Sequence, residues 1–192
     1  MDLETLYQQR CVTPWNINEH LPTLRRYASE CRVVTEFGTH VGFSTIAFLA
    51  GQPEELHCYD IVRQPDVALI EEIAASQTKT KFTFHQQSSL TAEFDSTDLL
   101  FIDSLHQYDQ VLQELCLHAP KVKQYLMFHD TFAWAYIDEN PSGNPTDINF
   151  GWAHKKGVAA AIGHYMVDHP EWKIYEQFYH NCGLTVYKRE VV

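Results

Sequence analysis

Two groups of side chains in this sequence have the types and the spacing that chemistry needs. The first is the run Glu36-Phe37-Gly38-Thr39-His40-Val41-Gly42-Phe43-Ser44-Thr45, in which two glycines flank a predicted turn. Glycine lets a backbone turn sharply and approach a ligand closely, and the amides that begin a helix near Ser44 present the positive ends of their dipoles. The turn therefore suits an anionic or carboxylate-bearing cofactor. Because the third glycine of G-x-G-x-x-G is missing, a pyrophosphate-binding dinucleotide site is poorly supported.

A carboxylate and two serines extend this first site. Asp60 ends a predicted strand about twenty residues beyond the turn, where its oxygens can accept hydrogen bonds from both hydroxyls of a ribose. Ser88 and Ser89 follow the next predicted strand and would bound an adenine ring, although two exposed loop serines are an equally good interpretation. Together these residues indicate an adenosine-containing ligand. The candidate cofactor-binding residues are Glu36, Gly38, Thr39, Gly42, Ser44, Asp60, Ser88, Ser89 and Asp103.

The second group stands at the ends of two later strands. Asp103 and His106 follow one apolar run, and His129 and Asp130 follow the next. Neighbouring parallel strands deliver such residues to one edge of a sheet. Two carboxylates and an imidazole converging there predict either a site for a hard divalent cation or a base that takes a proton from a hydroxyl. The alternative is that His106 and Asp130 only cap the helix and the loop that follow them.

Short apolar runs alternate with segments of helical periodicity along the chain, a pattern typical of an α/β sheet. The order of elements predicts five strands of the βα type and a closing pair of strands, in a Rossmann-like α/β/α sandwich. The predicted strands are 31–38, 56–61, 81–86, 98–103, 124–130, 173–178 and 184–189.

The length of 192 residues favours one domain over two. We therefore treat residues 1–192 as a single domain in which residues 1–30 form a helical lead. Residues 131–153 contain clusters of Pro, Gly and Asn without clear periodicity, and this predicts a loop unusually long for a compact domain. Such loops are usually functional or disordered, and we place this one on the substrate side, with His154 at its border.

Charge narrows the range of partners. The chain has 25 acidic and 14 basic residues, a formal net charge of −11. This charge repels phosphate backbones and disfavours a nucleic-acid-binding protein, so a small-molecule or glycan acceptor is the expected partner. A homo-oligomer is compatible with the sequence.

The distribution of apolar residues and of cysteines indicates in which cellular compartment the protein is expected. No apolar run approaches the ~20 residues that a membrane-spanning helix needs. The start MDLETLYQQRCVTPW lacks the basic end and the apolar stretch of a secretory signal, so we expect no membrane association and a cytoplasmic location. Five widely spaced cysteines without a C-x-x-C pair predict reduced thiols.

Through EFGTHVGFST, Asp60 and Asp103, nearly the whole chain resembles the class I S-adenosylmethionine-dependent methyltransferases. More narrowly, LLFIDSLHQYDQVLQEL, LHAPKVKQYLMFHDT and the segment GVAAAIGHYMVDHPEWKIYEQFYHNCGLTVYKR resemble the cephalosporin hydroxylase-like branch, which includes O-methyltransferases of sugars and natural products. The resemblance implies a seven-stranded, mostly parallel sheet with the last strand antiparallel.

The resemblance also implies roles for single residues. Glu36, Gly38 and Gly42 would hold the methionine part of S-adenosylmethionine, and Asp60 would hold its ribose. In the relatives a magnesium ion is bound by acids that match Asp103, His129 and Asp130, and here His129 replaces a carboxylate with a softer ligand. Where relatives have the proposed base as the second Asp of Asp-Gly-Asp-His, this chain has Leu105, so His106 or His129 would have to accept the proton.

The sequence thus predicts a methyltransferase that modifies a hydroxyl of a sugar or small natural product, with catalytic residues His106, Asp103 and His129 and, if a metal is bound, ligands Asp103, His129 and Asp130. Three alternatives stay open. They are an S-adenosylmethionine-binding protein without transfer activity, a nicotinamide-dependent oxidoreductase, and a glycan-binding or assembly subunit, with which Trp134, Tyr136 and Trp152 of the long loop are consistent.

Overall fold

The computed structural model of the chain describes residues 2–140 and 156–190. In these two ranges the chain forms six α-helices and seven β-strands. The helices are α1 (Leu3–Val12), α2 (Leu21–Ser29), α3 (Phe43–Gly51), α4 (Asp66–Gln77), α5 (Tyr108–His118) and α6 (Gly157–Val167). The strands are β1 (Val33–Phe37), β2 (Glu55–Asp60), β3 (Lys81–Gln86), β4 (Thr97–Ile102), β5 (Val122–His129), β6 (Trp172–Phe178) and β7 (Leu184–Arg189).

All seven strands belong to one sheet, in the order β3-β2-β1-β4-β5-β7-β6. Strands β1 to β5 pair in parallel, and β7 runs antiparallel to both of its neighbours, β5 and β6. The predicted sheet is confirmed, including its single antiparallel strand. The strand order reverses between β1 and β4, and crevices beyond the carboxyl ends of strands at such a reversal are where open α/β sheets bind ligands.

The central strand β4 is buried along its whole length, as expected where helices cover both faces of a parallel sheet. Leu99 and Phe101 face a core shared with α1 to α4, whereas Leu100 and Ile102 face a second core shared with α5 and α6. The three layers predicted from the alternating pattern are therefore present. This packing holds the end of β4 rigidly beside the end of β1.

The structure departs from the predicted elements in detail. The strand expected at 56–61 runs from Glu55 to Asp60, and the second half of the predicted helical lead is divided into the 3-10 turn Asn18–His20 and α2. Pro22 accounts for the division, because proline fits the first turn of α2 but no later position in a helix. The helical lead contains the additional helix α1.

Residues 131–140 of the predicted long loop contain neither helix nor strand. The rest of that loop, which includes Trp152, and the neighbouring His154 lie outside the described residues. None of the helices in the described ranges is long and apolar enough to cross a membrane.

Candidate active site

A cavity of about 550 Å³ lies at the carboxyl ends of β1 to β4, where the strand order reverses. All the predicted cofactor-binding residues except Glu36 line it. The cavity also contacts residues from the N-terminal segment, from the loop after β4 and from α5. These additional lining residues are Trp15, Asn16, Ile17, His40, Val41, Phe43, Tyr59, Ile61, Gln87, Ser104, Leu105, His106, Gln110 and Glu139.

The floor of the cavity depends on Gly38. Its φ of 90° lies in the left-handed region, and a Cβ at this position would come within 1.9 Å of the backbone oxygen of Asp103. Next to it, the Asp103 amide donates to the carbonyl of Phe37 at 2.9 Å. Only glycine lets the ends of β1 and β4 meet this closely, so the turn and Asp103 form a continuous surface.

Glu36 lies behind the glycine turn and contacts the first residues of α3. Its side chain is fully buried and accepts hydrogen bonds from the hydroxyls of Ser44 and Thr45, the latter at 2.6 Å. Burial raises the pKa of Glu36 to about 7, against the opposing hydrogen bonds from Cys58, Ser44 and Thr45. The structure thus places Glu36 behind the start of α3 and not on the cavity wall, where the sequence predicted a direct contact with the methionine part of the cofactor.

Asp60 lies on the wall, beside the turn. One carboxylate oxygen accepts from the His40 amide at 2.8 Å and the other from the Val62 amide at 2.8 Å. Each oxygen can accept a further hydrogen bond, so two acceptor sites stay available to a diol. Gly38, Gly42 and Asp60 therefore line one hollow, whereas Glu36 lies behind it.

Sequence reasoning missed the contribution of the N-terminal segment. The ring of Trp15 stacks on Phe43 with 5.3 Å between centroids and lies 6.2 Å from His40, so it forms one side of the cavity. Its backbone oxygen accepts from the side-chain amide of Asn181 at 2.8 Å. A single tryptophan in the polar connection TPWNIN was the available signal.

The second predicted group also assembles, and we call Asp103, His106, His129 and Asp130 the charged centre. Nδ1 of His129 lies 3.2 Å from an oxygen of Asp103 and 2.8 Å from one of Asp130. Nε2 of His106 lies 3.3 Å and 3.0 Å from the same two oxygens. Both imidazoles therefore face both carboxylates.

The other side of the His129 ring fixes its tautomer. Nε2 lies 3.1 Å from the backbone oxygens of Asn16 and Asn181, and since carbonyls only accept, Nε2 carries a hydrogen. In the neutral ring the lone pair is then on Nδ1, directed at Asp103 and Asp130. Such an outer hydrogen bond orients the histidine ligands of metal sites.

The carboxylates of the charged centre raise the pKa of both imidazoles. Burial alone would lower the pKa of His106, but its contacts with Asp103, Asp130 and Glu139 outweigh burial and raise the pKa to about 12. Burial likewise opposes charge on His129, yet the Asp103 and Asp130 carboxylates hold its pKa well above the usual value. The contacts with the carboxylates therefore favour the charged form of both imidazoles.

The charged centre fits a divalent cation. One ligand atom each from Asp103, His129 and Asp130 lie within 4.8 Å of one another. The Oδ2 atom of Asp130 is buried and faces ring nitrogens of His129 and His106, and Asp130 has a φ of 57°, a strained conformation that clusters at functional sites. Mixed carboxylate and imidazole ligands suit manganese or another transition ion better than magnesium.

The charged centre adjoins the cavity through two of its members. Asp103 and His106 line the cavity, whereas His129 and Asp130 are almost fully buried behind them. Of the aromatic residues singled out in the long loop, Trp134 stacks on His106 with 6.4 Å between centroids. A ligand in the cavity would therefore touch Asp103 and His106 first.

Comparison with known proteins agrees with this geometry. A family model described as a methyltransferase domain matches residues 35–131, from β1 to the residue after Asp130. No curated protein sequence matches the chain. The narrower likeness to the cephalosporin hydroxylase-like branch stays a prediction.

Several solved structures share the fold. A Staphylococcus aureus protein assigned as a caffeoyl-CoA O-methyltransferase superposes with a TM-score of 0.66 at 11% identity, over 99% of this chain and 93% of that one. An O-methyltransferase of Bacillus cereus in complex with S-adenosylhomocysteine gives 0.61 at 14% identity, over 98% and 90%. A Podospora anserina methyltransferase bound to S-adenosylhomocysteine gives 0.62 at 13% identity, over 100% and 89%. At these identities the likeness establishes the fold.

Proposed function

Because the chain belongs to the methyltransferase domain family, we propose that it transfers the methyl group of S-adenosylmethionine to a hydroxyl of a sugar or another small molecule. One observation carries this proposal. A nucleoside-sized cavity, with the Gly38 turn and Asp60 on its wall, opens directly onto Asp103 and His106 of the charged centre. The cavity would hold the cofactor and the charged centre would act on the acceptor.

The cofactor is held by backbone and carboxylate groups. Asp60 accepts from the ribose hydroxyls, the amides at the start of α3 face the carboxylate of the methionine part, and Ser88 and Ser89 flank the adenine. Trp15 covers the cavity from the N-terminal side. The bound S-adenosylhomocysteine and S-adenosylmethionine in structures of the same fold support this choice of cofactor.

The reaction is a displacement at the methyl carbon. The acceptor oxygen attacks that carbon as its C–S bond breaks, the electron pair moves to sulfur, and S-adenosylhomocysteine leaves as a neutral thioether. His106 in its neutral form takes the hydroxyl proton, since it lines the cavity whereas His129 is committed to two backbone carbonyls. Positioning the two reactants supplies most of the rate.

A divalent cation belongs to the proposal because the charged centre fits one. Asp103, His129 and Asp130 would hold it. When bound, it would lower the pKa of an acceptor hydroxyl and, through its charge, the pKa of the adjoining His106.

The acceptor is proposed to be small, neutral and rich in hydroxyls. The net charge of −11 disfavours nucleic acids and other polyanions. An O-methyltransferase among the proteins of the same fold agrees with oxygen as the methylated atom.

Calorimetry with S-adenosylhomocysteine tests the cofactor, and transfer of a labelled methyl group to a panel of sugars and phenolic natural products tests the reaction. We expect micromolar binding and methylation of a hydroxyl, both reduced at least about tenfold in Asp60→Ala. As a control, Glu71→Ala removes an exposed ion pair with Arg63 and should change neither.

Two other results would redirect the assignment. Binding without transfer to any acceptor would favour a cofactor-binding protein without catalysis. A melting temperature raised by NAD and unaffected by S-adenosylhomocysteine would favour an oxidoreductase and refute the proposal.

A further inference from the structure

Beneath the cavity lies a buried carboxylate, Glu114 of α5, that the proposed reaction does not use. It is fully buried, and one of its oxygens accepts three hydrogen bonds. The donors are the hydroxyl of Ser89, the hydroxyl of Ser104 at 2.6 Å and Nε2 of Gln110 at 2.9 Å. The second oxygen is buried with no partner among the described residues. All three donors line the cavity, and they come from three different segments.

Glu114 fixes the orientation of the Gln110 amide. The oxygen that Gln110 contacts is an acceptor, so the amide must turn its NH₂ group towards it. The same Nε2 lies 3.0 Å from the Ser89 oxygen, whose hydrogen is already donated to Glu114, so it donates there as well. Exchange of the amide oxygen and nitrogen would lose both bonds. Within the described residues no hydrogen bond occupies the carbonyl oxygen Oε1, and Gln110 therefore presents an acceptor to the cavity.

Ser89 is fixed from a second direction. Nε2 of the buried His118 donates to the Ser89 backbone oxygen at 2.7 Å. This end of the cavity, beyond Asp60 and at the end of β3, is consequently held by a network of buried polar groups. Such a network specifies one arrangement, because any other leaves a buried group without its partner.

We infer that Gln110, oriented by Glu114, reads the base of the cofactor by accepting a hydrogen bond from the exocyclic amine of adenine. The inference rests on the proposed function, since it takes the ribose to lie at Asp60 and the base to lie at Ser89. A purine with an oxo group in place of the amine would set two acceptors against each other. Gln110 contacts the base, whereas Glu114 acts through Gln110 and is a positioning residue.

The test compares the affinity of S-adenosylhomocysteine with that of its deaminated analogue, S-inosylhomocysteine, by calorimetry. We expect wild type to bind the amino compound at least about tenfold more tightly. Gln110→Met, which has a similar length and no acceptor carbonyl, should weaken binding of the amino compound and bring the ratio of the two dissociation constants close to one. In Glu114→Gln the new amide can donate, so Gln110 is free to turn over and the ratio should fall.

Gln113→Met is the matched control, because Gln113 lies on the same helix, is exposed and does not line the cavity. Its ratio should equal that of wild type. The ratio separates base reading from a merely structural role, which would weaken both compounds equally. A wild type that binds both compounds equally overturns this inference alone, as does a Gln110→Met variant with an unchanged ratio. A wild type that binds neither compound overturns the proposed function, and the inference with it.

Discussion

Gly38 is the residue on which the contact between β1 and β4 depends. Gly38→Ala forces a Cβ against the backbone oxygen of Asp103, 1.9 Å away, at a φ of 90° that an alanine rarely adopts. Because the obstacle is backbone, the strand ends must separate. We expect a loss of at least about 2 kcal/mol in the free energy of unfolding, measured by urea denaturation, together with loss of S-adenosylhomocysteine binding.

Gly163→Ala provides the comparison for this substitution. Gly163 lies inside α6, and nothing lies within 4 Å of the position of its new Cβ. An alanine in the interior of a helix is favoured over glycine by about 1 kcal/mol, so this variant should be more stable than wild type and should bind normally. Equal stability of the two alanine variants would show that Gly38 is not constrained as the structure indicates.

Strand β1 contributes a pH-dependent part of the stability through Glu36, whose side chain accepts hydrogen bonds from the start of α3. The pKa of Glu36 is raised by burial to about 7 in the folded chain, above the ordinary value of 4.5 that we take for the unfolded chain. Between these values the folded chain holds a proton that the unfolded chain has released. The free energy of unfolding therefore decreases as the pH rises through this window, by about 3 kcal/mol, and Glu36 adds no further change above it.

Glu36→Gln removes this titration and keeps a polar group between Ser44 and Thr45. Urea denaturation at pH 5 and at pH 7.5 measures the effect, and the variant should lose less stability than wild type between the two. All other titrating groups are common to both proteins, so the difference reports Glu36. Parallel curves would mean that Glu36 is already ionised at pH 5.

The connection between α1 and α2 is predicted to act on cofactor binding and not on folding. Trp15 stacks on Phe43 at the side of the cavity and is 44% exposed. Trp15→Ala should therefore weaken S-adenosylhomocysteine binding about tenfold while the melting temperature of the free protein changes little. Trp15→Phe keeps a stacking ring and should retain most of the affinity. An equal loss of affinity in Trp15→Ala and Trp15→Phe would show that the ring of Trp15 does not contact the cofactor.

A sequence predicts those parts of this site that depend on residues close together in the chain, and it does not predict parts that depend on contacts between distant segments. The Gly38 turn, Asp60 and Asp103 are predictable because strands of apolar residues end in them, and the carboxyl ends of parallel strands meet at one edge. The place of Trp15 is not predictable in this way, since its position over the cavity depends on Asn181, far away in the chain. The hydrogen bonds of Glu114 cannot be predicted from the sequence for the same reason. A glutamate on a helix is expected to be exposed to solvent, and only the packing of the fold shows that this one is buried.

At the scale of the whole molecule, the charged centre joins segments that are distant in the chain. His129 on β5 contacts Asp103 after β4, and its other nitrogen donates to the backbone of Asn16 and of Asn181. The connection between α1 and α2 and the turn between β6 and β7 are thus both hydrogen-bonded to the imidazole ring of His129. Whatever stabilises His129 in this orientation stabilises the contact among all these segments.

A cation that binds the charged centre should therefore raise the melting temperature of the whole chain, because it binds the folded state and not the separated ligands. We expect a larger rise with manganese than with magnesium at equal concentration, since imidazole is a poor ligand for magnesium. Manganese is the better probe than zinc, because 5 cysteines and 11 histidines would bind zinc in the unfolded chain as well.

Two variants make this measurement decisive. His129→Asp supplies the carboxylate that magnesium prefers, and it should shift the selectivity towards magnesium even if the variant is less stable overall. Asp130→Asn removes a charged ligand and should abolish the response to both ions. A magnesium response equal to the manganese response in wild type would contradict a ligand role for His129, because a site built from Asp103, Asp130 and water alone has no reason to prefer the softer ion.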